Sequence, residues 1–585
     1  MVARMRHEPF YSTGRWVDEG LGVYVGWVQR EGERRCAQPQ ANESGDKVLV
    51  FAGDEFPEPG TAQRLKQSGH AVAEGRGAHL VHVAEEEEDF PASLNGQFQG
   101  LLVDRTKRTA TLFNDRHAAR RVYYHETRDA FYFAAEAKAL LAVRPELRAL
   151  DERGLSEWVS CGCVLEDRTL FKGIRILPGA AKWVFEGGAL REKGSYFSPR
   201  EWEEQEPLAP DAFYCMLRDV FASRVERYFA DCGQVGFSLT GGLDTRLIMA
   251  WLKPEAGTLP CYTFGGPYRE TRDVRIARRI AGMCGQKHQV IHVGAEFLSR
   301  FAHYSERTVY LTDGSTSVVQ SPDLYVNELA RQIAPVRLTG NYGDEVLRQK
   351  VVFRPSMPSN GYFHQDFVQL VAAAGDTYAA AMKGDALTDA TGLQLKWFFQ
   401  GLAALESSQV EMRTPFLDNE LIRTLYRAPR HPVADGDLRV QMIRDAAPAL
   451  GRIRTDLGFA GRGGPVAEGA SRFWNRATMR AEYACEHGDP RFVPVVDRAV
   501  LGRMLEKTFV GVHKFTHFSL WYRNELASYV REMLLDRRTL ARPYLEPREV
   551  EEIVDRHVEG TGNYTPAIHK IITLEHMQRL FFDTV

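Results

Sequence analysis

A chain of 585 residues, 44% hydrophobic and 26% charged, is too long for one ordinary core and has the make-up of a multi-domain globular protein. Its net charge of −3 lacks the basic surplus of a general nucleic-acid binder. No apolar run reaches the roughly 18 residues of a membrane span, and the polar, basic stretch Met1–Phe10 predicts no secretory signal. The cysteines (Cys36, Cys161, Cys163, Cys215, Cys232, Cys261, Cys284, Cys485) are scattered, which predicts reduced, buried thiols in a cytoplasmic protein. Cys161 and Cys163 form the one close pair, with no second pair or His cluster to complete a zinc set.

Residues 1–150 read as β-rich. Gly22–Val28, Val48–Phe51, Phe98–Val103, Thr109–Phe113 and Ala130–Ala134 are short runs of β-branched and aromatic residues bounded by Gly, Asp or Asn. Helices are expected at Pro59–Gln67 and Glu136–Val143, and the acidic run Glu85–Asp89 reads as a solvated helix start or loop. The charged, proline-marked stretch 200–210 predicts a linker. After it the period changes: helix Asp211–Phe229, strand Gln234–Leu239, a Gly-Gly turn and a helix from Thr245 to Leu252 open a parallel α/β unit. Further strands are expected at Pro260–Phe264, Gln289–Val293 and Pro335–Thr339, with a helix at Arg272–Cys284 and helical patterning from about 360 onward. Phe509–Trp521, dense in aromatics, reads as the buried face of a helix, and His117, His125 and His292 as surface or packing histidines.

The segment Ser238-Leu239-Thr240-Gly241-Gly242-Leu243-Asp244-Thr245 has a direct physical use. Two glycines allow close backbone approach, the helix start offers unpaired amides and positive partial charge to phosphate, and Thr240 and Thr245 add hydroxyls. Asp244 offers a carboxylate to Mg²⁺. A Gly-Gly turn made only for packing is the competing reading. Thr339-Gly340-Asn341-Tyr342-Gly343-Asp344-Glu345 again ends a predicted strand in glycines and acid. Asp244 and Asp344 are therefore the candidate metal ligands. Ser238 through Thr245, Thr263, Gly340, Asn341 and Gly343 are the candidate ATP and pyrophosphate contacts.

On these motifs the chain resembles the asparagine synthetase family. Thr240–Thr245 is similar to that family's Ser-Gly-Gly-Leu-Asp-Ser loop, Asp313-Gly314 and Gly340–Glu345 to its following acidic segments, and Glu411–Asp418 to its Glu-x-Arg-x-Pro-Phe-Leu-Asp signature. Leu94–Phe98, Asn114–Arg116, Arg121–Tyr124, Ala134–Leu141 and Thr169–Gly179 resemble its glutamine-hydrolysing half. The resemblance implies two domains: an N-terminal nucleophile-hydrolase-like αββα sandwich at 1–200, and an adenine-nucleotide α-hydrolase (PP-loop) parallel-sheet ligase domain with a helical C-terminus at 211–585. It also implies ATP and Mg²⁺ as cofactors, a carboxylate substrate (small molecule or peptide), and catalytic roles for Glu411, Tyr342 and Arg454. A homodimer is common in the family; no nucleic-acid or membrane partner is expected.

Two departures redirect the function. The family's glutaminase carries a cysteine directly after the initiator methionine, where this chain has Val2, which predicts that glutamine is not the nitrogen source. The family's Arg-x-Lys-x-x-Phe loop corresponds to Arg454–Phe459, with Asp456 where lysine would stand and Arg452, Arg454 or Arg462 as substitutes; Arg439 and Arg444 stand near a second missing lysine. The expected activity is ATP-dependent amide formation through an acyl-adenylate, with free ammonia or a substrate amine as nucleophile. Relatives without the cysteine include β-lactam synthetases and lasso-peptide cyclases, which makes a precursor peptide and accessory protein candidate partners. A nucleotide-binding scaffold is the alternative.

Overall fold

In the N-terminal half, alternating apolar residues divide a sheet into two buried faces. A computed structural model describes residues 1–30, 39–230, 233–358, 361–429, 437–455, 465–487 and 508–583. β1 (Tyr11–Asp18) and β2 (Val23–Arg30) form a hairpin. β3 (Gln40–Ala41), β4 (Lys47–Glu55), β5 (Gly96–Asp104) and β6 (Thr109–Asn114) follow. β7 (Tyr123–Glu126), β8 (Phe131–Ala134) and β9 (Arg175–Ile176) make a small sheet in the order β8-β7-β9. β10 (Ala181–Glu186) and β11 (Ala189–Ser195) return to complete a six-stranded antiparallel sheet, β11-β10-β6-β5-β4-β3.

Leu49, Phe98 and Phe113 on one face of that sheet pack against the helices Thr61–Gln67 and Leu80–Glu86. Val48, Val50, Leu101, Val103 and Leu112 on the other face pack with Val25, Val122 and Leu177 of the second β layer. Beyond that layer lie the helices Ala137–Leu141 and Glu152–Cys161, which gives the expected helix–sheet–sheet–helix sandwich. The period-2 rule accounts for both faces.

The C-terminal half is built on β12 (Val235–Ser238), β13 (Cys261–Gly265), β14 (His288–His292), β15 (Val336–Leu338) and β16 (Glu411–Arg413). They form a parallel sheet ordered β14-β13-β12-β15-β16, flanked by helices that include Pro210–Phe229, Leu243–Leu252, Arg272–Met283 and Ser321–Ile333. One hydrophobic core runs through both halves, joining Tyr123, Leu140, Trp158 and Phe171 to Ile291, Tyr304, Trp521 and Phe581.

Several expectations need correction. The acidic run does not start a helix: Glu85 and Glu86 end the helix Leu80–Glu86 and face His70, His82 and Arg64, while residues 87–89 form the loop that was the other expectation. The stretch at 200–210 is no free linker, because Arg200–Glu203 is helical and Trp202 is buried against Phe197 and Arg116. Phe509–Trp521 is not one helix: Phe509 is helical, residues 510–517 are irregular, and the helix Phe518–Arg523 follows. β16 interrupts the helical C-terminal part; its three residues are too few and too charged to show alternation. β1, β3, β7, β9, β10 and β11 are strands that the sequence reading did not name. Of the described cysteines Cys215 is exposed, and Cys36 and Cys232 lie outside the described residues. His117 is a packing residue, buried and pushed down to about 4 by burial first and then by Arg116, while His292 is exposed. Among the described residues no helix is long and apolar enough to cross a membrane.

The halves are also pinned by polar contacts. Asp313 accepts the amides of Ala137 at 2.9 Å and Lys138 at 3.1 Å and pairs with Lys138 Nζ at 3.2 Å, all buried. Removing the carboxylate strands these donors and the ammonium, so Asp313→Ala is expected to lower unfolding free energy by about 3 kcal/mol, read as a lower urea midpoint. His576, buried beside Tyr529 and Ser305, is pushed down to about 4 by burial and then by Arg579. Between pH 4 and the ordinary histidine value the unfolded chain binds a proton that the native chain refuses. This contribution to stability is full above pH about 6.5 and lost as pH falls toward 4. The rise of the melting temperature across that window is expected to flatten in His576→Gln.

Candidate functional site

β12 comes first in the chain among the strands of its sheet yet lies at the centre, with β13 on one side and β15 on the other. The crevice outside the carboxyl ends of β12 and β15 is thus the switch point at which open α/β sheets bind ligands. Both glycine-rich segments open there because their strands are neighbours. Gly242 caps the helix Leu243–Leu252 and has no side chain to satisfy the first amides, so the positive helix end is presented at the loop.

The loop is stiffened from within. The Thr240 amide donates to Thr245 Oγ1 at 3.1 Å, and the two threonine hydroxyls meet at 2.9 Å. The Gly241 amide donates to Asp273 Oδ1 at 2.6 Å, and the Gly241 carbonyl accepts from Arg246 Nη2 at 2.9 Å. Arg246 is wholly buried and also donates to the Ile453 carbonyl at 2.5 Å, which sets Arg454 in the chain next to the loop. Asp456, Gly458, Phe459 and Arg462 lie outside the described residues.

Glycine at 340 and 343 is required by contact. A Cβ at 340 would stand 2.9 Å from the Thr245 amide, and one at 343 would stand 2.5 Å from Asp244 Cγ. Tyr342, where the family has glycine, keeps the glycine-type backbone with φ 71°. That left-handed turn costs about 1–2 kcal/mol and is offset by burial of its ring, packed edge-on to Phe399 with centroids 5.4 Å apart.

Asp244 and Asp344, one from each loop, converge on a single cation. Arg439 Nη1 lies 2.6 Å from Asp244 Oδ1 and 2.7 Å from Asp344 Oδ1. Its other face is held by Asp437, with Nε to Oδ1 at 2.9 Å and Nη2 to Oδ2 at 2.5 Å. Asp437 in turn caps the helix Leu438–Ala446 through the Arg439 amide. Burial raises the Asp244 carboxyl to about 6, with Arg439 opposing and the Asp344 and Asp437 charges adding to the rise. Burial works the same way on Asp344, but Arg439, Arg348 and Lys350 outweigh it and hold the carboxyl below its ordinary value. Two carboxylates on opposite loops around one positive charge fit a divalent cation.

Other predicted residues are spent elsewhere. Ser238 donates to the Leu338 carbonyl at 3.3 Å inside the sheet, and Leu239 and Leu243 are core. Thr263 bonds the Leu239 carbonyl at 2.6 Å and His288 at 2.8 Å. Asn341 bonds Thr339 and Glu406. Tyr342 and Glu411 were expected to face the nucleotide. In the ligand-free structure Tyr342 is buried, which raises its hydroxyl pKa, and Glu411 lies at the start of β16, held by Arg413 at 2.7 Å and by Arg76 at 3.2 Å. Asp273, Arg246 and Asp437 escaped sequence reasoning. Asp437 and Asp273 carried a local signal, an acidic residue at a helix start; Arg246 carried none.

A cavity of about 390 Å³ lies between the halves, lined by Val2, His7, Arg30, Arg76 and Glu136 on one side and Gln400, Ala404 and Ser408 on the other. Val2 contributes only methyl groups there, and none of the described cysteines lines it.

Arg439→Gln separates the cation seat from its internal occupant. Unpaired carboxylates are expected to lower metal-free stability by about 2 kcal/mol, with Mg²⁺ alone restoring the melting temperature at concentrations at least tenfold below those that affect the parent protein.

Residues 3–197 match a family model described as a glutamine amidotransferase domain, and residues 216–447 match one described as asparagine synthase. The glutamine-hydrolysing asparagine synthetase 1 of Bacillus subtilis (strain 168) is 21% identical over 350 residues, covering 59% of this chain and 54% of that protein. The chain therefore spans about half the length of this curated relative. A solved glutamine phosphoribosylpyrophosphate amidotransferase from B. subtilis, complexed with ADP and GMP, covers 46% of this chain and 51% of its own at 11% identity. Its TM-score is 0.22, too low to bear on the fold. The two models match in tandem, in the order of the two architectures described: the chain carries a glutamine amidotransferase domain followed by an asparagine synthase domain, the second of which it shares with the asparagine synthetases.

Proposed function

We propose that the protein is an ATP-dependent carbon–nitrogen ligase that takes its nitrogen from free ammonia or a substrate amine rather than from glutamine. The observation that carries this reading is the convergence of Asp244 and Asp344 on one cation at the switch point, beside the uncapped start of the helix Leu243–Leu252. A substrate carboxylate oxygen attacks the α-phosphorus of ATP, and the bond to the leaving pyrophosphate breaks. An amine nitrogen then attacks the acyl carbon, the bond to AMP breaks, and the nitrogen gives up a proton as the amide forms. Magnesium held by Asp244 and Asp344 would neutralise phosphate charge.

The chain's own groups do the rest. The amides at the start of the helix Leu243–Leu252 bind anionic oxygens. Asp273 and Arg246 hold the loop that presents them. Arg439, which keeps the two carboxylates in register in the metal-free protein, supplies with Arg454 the positive charge that Asp456 does not. The nitrogen source follows from Val2, which offers the interdomain cavity no nucleophile. An amine within the substrate itself would close a ring, so a peptide or specialised metabolite bearing both groups suits the site.

The test is exchange of labelled pyrophosphate into ATP across a panel of carboxylic acids, with glutamate release from glutamine followed in parallel. Magnesium-dependent exchange is expected with at least one acid, lowered at least 100-fold in Asp244→Asn, and no glutamate release. No exchange across the panel, together with no magnesium-dependent ATP binding, would overturn the ligase reading. Glutamate release coupled to ATP use would overturn the nitrogen source.

A further inference from the structure

Far from the nucleotide loops, four side chains of the N-terminal half meet that are distant in sequence. Glu43 lies in the turn that follows β3, His70 just beyond the helix Thr61–Gln67, and His82 and Glu85 on one face of the helix Leu80–Glu86. One ligand atom from each lies within 4.8 Å of all the others. His82 Nδ1 is 2.9 Å from Glu85 Oε2 and 3.6 Å from Glu43 Oε2, and His70 Nδ1 is 3.4 Å from Glu85 Oε2. Four ligands at 2.0–2.2 Å from a tetrahedral zinc ion stand about 3.3–3.6 Å from one another, so the set is already near the spacing that zinc imposes.

The groups behind these ligands are also in place. A metal-bound histidine commonly gives its remaining ring N–H to a carboxylate or carbonyl, which fixes tautomer and ring orientation. His70 Nε2 faces Glu86 Oε1 at 3.4 Å. The Asn42 amide donates to Glu85 Oε1 at 2.6 Å, and the other oxygen of Glu43 accepts the Ala71 amide. Each carboxylate thus has one oxygen fixed by the protein and the other turned to the histidines. Two neutral imidazoles, two carboxylates and Zn²⁺ sum to zero charge, which suits a site whose His82 is buried.

We propose that Glu43, His70, His82 and Glu85 form a structural zinc site that clips three chain segments together. The clip has a consequence at the interdomain cavity. Gln40 lies just ahead of Glu43, and Arg76 and Gly77 lie between His70 and His82; all three line the cavity, and Arg76 reaches Glu411 of β16. Fixing these segments fixes that wall and holds Arg76 against the other half. The site is independent of the ligase reading.

The full chain is stripped with a chelator and titrated with Zn²⁺ against a chromophoric competitor. The expected result is one zinc per chain, with zinc-edge X-ray absorption fitted by nitrogen and oxygen at about 2.0 Å and no sulfur shell at about 2.3 Å. Glu43→Gln, on an exposed turn, and His70→Gln are each expected to weaken zinc at least tenfold and to abolish the rise in melting temperature that zinc gives the parent protein, with circular dichroism unchanged. Sub-stoichiometric zinc, zinc bound through sulfur, or an affinity unchanged in both variants overturns the proposal.

Discussion

The arrangement of the C-terminal half depends on the contact of one guanidinium with two carboxylates. Asp244 and Asp344 belong to loops about a hundred residues apart, and each is disfavoured as an anion by burial. Like charges at this distance would drive the loops apart if nothing positive stood between them. Arg439 supplies that charge, and Asp437 holds Arg439 from behind while starting the helix that carries it. The constellation therefore joins three separate parts of the chain, and a cation seat exists because the ligand-free protein must satisfy the same charges that a metal would.

The sheet makes this contact available. With β12 beside β15, the strand ends that carry Asp244 and Asp344 are neighbours, and glycines at 340 and 343 let the two loops touch. Tyr342 shows how tightly the backbone is prescribed. The chain keeps a left-handed turn there without a glycine, and the strain is borne by packing the ring into the core.

The two halves are one folding problem. A core shared between Trp158 and Trp521, Asp313 capping a helix of the other half, and Arg30 donating to the Ser407 and Val410 carbonyls leave little freedom of one half against the other. This explains how an N-terminal half whose Val2 has no nucleophile can still be needed: it covers apolar surface of the synthetase half and frames the cavity between them.

The sequence alone determined the local rules. The glycine-rich strand ends, the β-branched and aromatic runs behind β4 to β6 and the amphipathic run at Asp211–Phe229 are short-range patterns, and they placed both loops, whereas the sandwich was implied by the family resemblance. What only the tertiary structure decided is where side chains spend their polar atoms. Thr263, Asn341 and Glu411 sit in or beside the expected motifs, yet their bonds go to Leu239, Glu406 and Arg413. Asp273, Arg246 and Arg439 acquire their roles only once β12 lies beside β13 and β15. The histidine–glutamate cluster is likewise silent in sequence beyond the pair His82 and Glu85, because a helix brings residues three apart onto one face while Glu43 and His70 arrive through packing. Spacing along the chain records periodicity; partners across the chain are set by topology and by the need to satisfy each buried charge.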